Sequence, residues 1–185
     1  MTKGELREVE IAVPGKMTTG FLVLRMYLGD FEYRVVPFDE ILGAVKSGEA
    51  EAGLLIHEGQ LTYAAEGLQK VVDLGEWWLL ETGLPLPLGA NVARRDLGAD
   101  VLRELSGVLA DSIAAGLENR AEAMRYALQF GRGLDPALGD RFVGMYVNEL
   151  TQDYGEEGRE AVRELLRRGE AIGAFKTPVH VDFVS

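Results

Sequence analysis

The sequence predicts an α/β lobe followed by a helical segment, and three observations predict it. Over residues 1–95, short runs rich in Val and Ile alternate with amphipathic stretches, the pattern of a parallel sheet joined by crossover helices. Those runs are nearly continuous in apolar character, as expected of strands covered on both faces. Over residues 96–185 the apolar residues recur at helical spacing instead.

Each element follows from local signals. Residues 8–13 read as a short strand that ends at the turn Pro14-Gly15. Thr18 and Thr19 precede a run of helical length over 20–28, and a threonine suits its N-cap. Residues 32–37 read as a second strand. Asp39 is placed to cap a helix that reaches Ser47 and stops at Gly48. Residues 52–56 form a third strand that delivers His57, residues 60–65 a short helix, and residues 70–74 a fourth strand. Pro85 and Pro87 keep the apolar stretch 84–91 out of a regular central strand, so it reads as an extended connection. Helices are then expected over 99–116, over 121–130, just after Pro136 with Phe142, Met145, Tyr146 and Leu150 on one face, and over 156–169. The tail 179–184, which contains His180, has the composition of a further strand.

Charge and composition remove several classes of function. With 19 Lys and Arg against 30 Asp and Glu, the net charge is -11. There is no cationic surplus to displace counterions from nucleic acid or to dock on an anionic membrane. No apolar run approaches the ~20 residues of a membrane helix. The absence of cysteine excludes disulfides, thiolate metal sites and cysteine nucleophiles. That absence is compatible with a cytoplasmic setting, and the first ten residues are charged and do not read as a signal peptide.

Two features point to chemistry at the carboxyl ends of the strands, where ligands bind in parallel α/β sheets. One is the turn 13–20, which opens a helix. Its unpaired N–H groups suit a carboxylate or phosphate, Thr18 and Thr19 add hydroxyls, and Gly20 permits close approach. The same turn also reads as a plain capped helix start, and it lacks the P-loop pattern. The other feature is His57, one of two histidines, set where an apolar strand runs out. A neutral imidazole there can act as a general base or can be a structural histidine bonded to its neighbours. Glu58 would point to the opposite face of a continuing strand, which makes it a poor partner. Two isolated histidines give no metal-ligand spacing. Trp77-Trp78 reads as core, and Arg94-Arg95-Asp96 as a surface ion pair.

The stretches 12–21, 48–58, 62–63, 72–78, 82–89, 94–98 and 146–148, taken in order, closely resemble the 1,4-dihydroxy-6-naphthoate synthases of the futalosine route to menaquinone. The resemblance spans the chain from about Val9 to the last helix. It implies a two-lobed fold similar to type II periplasmic binding proteins, and a lyase that converts cyclic dehypoxanthine futalosine to 1,4-dihydroxy-6-naphthoate. It further implies His57 as the general base, and Thr18, Thr19 and Gly20 as contacts to an anionic substrate. No metal or organic cofactor is implied. Family members begin with a further α/β segment that supplies much of the first lobe, and nothing here matches its opening motif. Residues 1–95 are therefore expected to correspond to the second lobe, and residues 96–185 to helices that normally complete the first. The apolar faces of those helices would be exposed in a monomer, which predicts a homo-oligomer or a complementing first-lobe chain. The alternative is a non-catalytic solute-binding-type module that holds a small carboxylate, or an interaction protein that pairs through the exposed helices.

Overall fold

A computed structural model of the chain describes residues 1–130 and 135–184. It is a mixed α/β protein, mostly helical, with a small three-stranded parallel sheet of order β2-β1-β3. The strands are β1 (Ile11–Val13), β2 (Tyr33–Val35) and β3 (Ala52–Gly53). The helices are α1 (Lys3–Arg7), α2 (Thr19–Leu28), α3 (Ile41–Ser47), α4 (Gly59–Thr62), α5 (Leu74–Thr82), α6 (Ala99–Glu118), α7 (Arg120–Ala127), α8 (Pro136–Tyr146), α9 (Glu149–Gln152) and α10 (Gly155–Ala171). The chain forms two compact units. The first holds Met1–Leu88 and Arg163–Val179, the second Gly89–Val162 and the residues from His180 onward.

In the first unit the pleat of β1 decides what covers each face of the sheet. Ile11 and Val13 point to one face and pack with Phe21, Leu24 and Leu28 of α2, with Leu6 of α1 and with Ala52 and Leu54. Ala12 points to the other, where Ile41 of α3 and Ala50 close over it. The register is Ile11↔Tyr33 and Ile11↔Ala52. It sets Gly53 beside Ala12, so the face under α3 is lined with small residues. A Cβ on Gly53 would fall 2.5 Å from Ile41 and 3.0 Å from Val45, so α3 sits where only a glycine lets it.

A third cluster ties distant parts of the sequence together. Val23 of α2, the fully buried Trp78 of α5 and Leu165 of α10 pack as one group. The Trp78 indole N–H donates to the Pro85 carbonyl at 3.2 Å, which satisfies its one polar atom. The Arg168 guanidinium lies 5.4 Å from the Trp78 ring centre. It also donates to Glu164 at 2.6 Å, and Arg167 donates to both oxygens of the same carboxylate at 2.7 Å.

Three expectations are corrected. Residues 70–74 do not form a strand. Asp73 accepts from the N–H groups of Gly75 and Glu76 and starts α5 at Leu74, so a strong cap overrides the β propensity of Val71-Val72. The N-cap of α3 is Glu40 rather than Asp39, and it makes no side-chain cap bond. Residues 179–184 carry no regular element. A helix not foreseen, α1, is held by a capping box between Thr2 and Glu5. Elsewhere local signals hold: Thr18 caps α2, Gly48 ends α3 in the left-handed region and Trp78 is core.

In the second unit α6 runs for 20 residues with none of them buried. Val101, Leu105, Val108 and Leu109 on it are 40–61% exposed. Arg120 of α7 bonds Asp140 of α8 at 2.8–2.9 Å, and Met124 is buried beside Gly139. Arg94 pairs with Asp96 and Arg95 with Asp182 on the surface. No helix among the described residues is long and apolar enough to cross a membrane.

Trp78→Ala is expected to cost about 3–5 kcal/mol of stability, measured by denaturant unfolding, because it empties a site enclosed by three helices. The two guanidiniums hold the Glu164 carboxyl down at about 2, against a usual value of 4.5. A depressed carboxyl contributes stability that is present above its unfolded value and lost as pH falls through its folded value. The advantage in melting temperature of the native chain over Glu164→Gln should therefore shrink as pH falls from about 4.5 to about 2, and an unchanged gap would contradict the pairing.

Candidate functional site

The site is built from the segments that leave the three parallel strands at their carboxyl ends. β1 leads into Pro14-Gly15 and then the Thr18 cap of α2. β2 leads through Val36-Pro37 to Phe38, and β3 leads through Leu54-Leu55-Ile56 to His57. Because β2 and β3 both run parallel to β1, all three exits fall at the same end of the sheet.

At the first exit, Thr18 serves the fold. Its hydroxyl accepts from the Phe21 N–H at 3.1 Å and donates to the Gly15 carbonyl at 3.1 Å. The Thr19 hydroxyl donates to the Leu88 carbonyl at 3.3 Å. Both hydroxyls are thus engaged within the protein. What this helix end offers an anion is the backbone N–H groups of Thr19 and Gly20, which have no acceptor inside the helix, together with the positive end of the helix dipole. Gly20 faces inward. A Cβ there would lie 2.9 Å from Cγ2 of Ile56 and 3.5 Å from Leu54. The close approach it permits is that of α2 onto the chain beyond β3, one residue before His57.

His57 is 8% exposed and has partners on both ring nitrogens. Its Nε2 lies 2.5 Å from the Phe38 carbonyl oxygen, and its Nδ1 accepts from the Gly59 N–H at 3.0 Å. The Phe38 ring packs on the imidazole with centres 5.4 Å apart. A carbonyl can only accept and an N–H can only donate, so the bonds imply a neutral ring with its proton on Nε2.

The expected position of Glu58 is corrected. The alternation argument requires a strand that continues past His57, but β3 ends at Gly53 and Glu58 already has helical φ and ψ. Its carboxylate therefore turns back, and Oε2 stands 3.7 Å from Nδ1 of His57. Nothing in local periodicity reveals this, since the signal is where the strand stops. Among the described residues, no group of three or more His, Asp or Glu side chains gathers as a metal-ligand set. The shallow depression beside Arg34, Pro37, Glu40 and Ser47 holds none of the predicted site residues.

A sequence family described as menaquinone biosynthesis matches residues 1–171. A 1,4-dihydroxy-6-naphthoate synthase of Streptomyces coelicolor is 42% identical over 175 residues, which are 91% of this chain and 62% of that protein. One from Thermus thermophilus is 43% identical over 176 residues, 94% of this chain and 65% of that protein. A crystal structure of an Archaeoglobus fulgidus protein is similar with a TM-score of 0.87 at 46% identity, covering 92% of this chain and 64% of that one. The chain thus spans less than two thirds of the length of these relatives.

Gly20→Val should test whether the two exits depend on each other. Overpacking against Ile56 is expected to cost about 1–3 kcal/mol in denaturant unfolding. It should also perturb the ring signals of His57 in an NMR spectrum. A destabilised variant with unmoved His57 signals would separate the helix end from the histidine.

Proposed function

Because the chain belongs to the menaquinone biosynthesis family, we propose that it carries the site of a 1,4-dihydroxy-6-naphthoate synthase, acting on cyclic dehypoxanthine futalosine as a lyase. One observation carries the reading: the α2 end and the segment leading into His57 lie at the same end of the sheet and meet through the Gly20–Ile56 contact. In this reading Thr18 holds the turn, the Thr19 and Gly20 N–H groups anchor an anionic group of the substrate, and His57 is the general base. Proton removal beside a carbonyl leaves an enolate, and N–H donors near it stabilise that charge. No metal or organic cofactor is invoked. The fold is read as a type II periplasmic-binding-protein-like lobe. Residues 1–95 would correspond to the second lobe of the family and residues 96–185 to helices of the first. A second copy, or a chain that supplies the remainder of the first lobe, would then cover the exposed residues of α6.

A second reading has its own support. Both nitrogens of His57 are bonded inside the protein, as in a structural histidine. That favours a module which binds a small carboxylate at the α2 end without turning it over.

Turnover separates the two. Incubation of the chain with cyclic dehypoxanthine futalosine is expected to form the naphthoate. His57→Ala should lower the rate by about 10²–10⁴-fold, the contribution of a general base. Its thermal unfolding should stay cooperative. Full activity in the variant would refute the base role, and binding without product in the native chain would favour the second reading.

A further inference from the structure

We propose that Nδ1 is the nitrogen of His57 that takes the proton, and that Glu58 is the positioning residue whose carboxylate then receives the Nδ1–H. The proposal rests on the reading of His57 as a base and says how that base is built.

The Phe38 carbonyl, 2.5 Å from Nε2, fixes the proton there. The only lone pair left is on Nδ1, and the Gly59 N–H points at it from 3.0 Å. Any proton taken from a substrate must therefore go to Nδ1. In that step the substrate C–H bond breaks, its proton passes to Nδ1 and its electron pair stays behind as the enolate of the adjacent carbonyl. The ring becomes a cation with N–H on both sides. Nε2–H keeps its acceptor, Phe38, but Nδ1–H now faces the Gly59 N–H, and two donors cannot share a bond.

Glu58 supplies what is missing. Its Oε2 lies 3.7 Å from Nδ1, with the side chain 30% exposed. A charge-assisted bond would need it to close by about 1 Å, to ~2.7–2.9 Å. The pieces that must move are small, because Glu58 and Gly59 sit at the start of the four-residue helix α4. Gly59 is also constrained. A Cβ on it would fall 2.7 Å from Cε1 of His57 and 2.9 Å from Leu42, so the ring rests against bare backbone that can exchange one bond for another. Neutral His57 is latched by Gly59, and protonated His57 is held by Glu58.

The test is NMR of the chain labelled with 15N in histidine, with His180→Gln to assign the two rings. The neutral His57 ring should carry its proton on Nε2 with Nδ1 bare. A proton on Nδ1 instead would overturn the choice of nitrogen. In acid, once both nitrogens are protonated, the Nδ1–H signal should lie far downfield. Glu58→Gln should remove that shift and leave the backbone spectrum unchanged, and Glu58→Asp should restore part of it. An Nδ1–H signal that is the same in the native chain and in Glu58→Gln would overturn the role of Glu58. Neither readout uses turnover, so a failure of the synthase reading is recognised separately, by the absence of naphthoate.

Discussion

The structure of the site depends on how closely α2 can approach the chain beyond β3. The strands are only three, three and two residues long, so the ladder itself holds little. What fixes the exits of the strands is the packing of helices on both faces, and glycine sets the distance each time. On one face Gly53 admits Ile41 and Val45 of α3, and on the other Gly20 admits Ile56 and Leu54. A side chain at Gly20 would have to displace Ile56, the residue that leads into His57. Gly20, whatever its backbone N–H meets, therefore also acts through the core, by joining the helix end to the chain that leads into the histidine.

Much of the first unit was legible because its signals are local. The Thr18 cap, the Gly48 stop and the Val- and Ile-rich strands each declare themselves within a few residues. Where the reading failed, the deciding contact lay elsewhere or two local signals competed. Val71-Val72 has strand character, yet Asp73 captures two N–H groups and starts a helix. Thr2 and Glu5 form a capping box whose spacing stands in the sequence, yet the helix it starts is only five residues long and shows no apolar period. The partner of His57 was missed because Glu58 is placed by the end of β3, and the Phe38 carbonyl stands 19 residues upstream. No local pattern indicates that Leu165 returns to pack with Val23 and Trp78.

The two units also differ in how their apolar residues are used. In the first, Ile11, Val13, Val23, Ile41 and Trp78 are fully or almost fully buried. In the second, α6 has the spacing of a core helix but buries none of its residues. At ~25 cal/mol per Å² of apolar surface, a helix face of this kind loses a stabilisation that its sequence is patterned to gain. The helical period is therefore a sound guide to which residues share a face on α6. It carries no information about what that face meets.

A histidine whose nitrogens are both bonded is the usual sign of a structural role, and magnitudes decide whether that excludes a base. Each hydrogen bond to the neutral ring is worth about 0.5–1.5 kcal/mol net. Freeing Nδ1 breaks one of them, the bond from Gly59. A general base returns a factor of about 10²–10⁴ in rate, or roughly 3–5 kcal/mol at 1.36 kcal/mol per tenfold. The cost of opening the latch is thus smaller than the return, provided the imidazolium that forms is not left with an unmet donor. An unmet buried donor would cost about 1–3 kcal/mol, enough to cancel most of the gain. In the proposed arrangement the carboxylate of Glu58, 3.7 Å from Nδ1, keeps that balance favourable. The same two backbone bonds that make His57 look structural also hold its ring in one orientation and one tautomer, which a base needs before its substrate arrives.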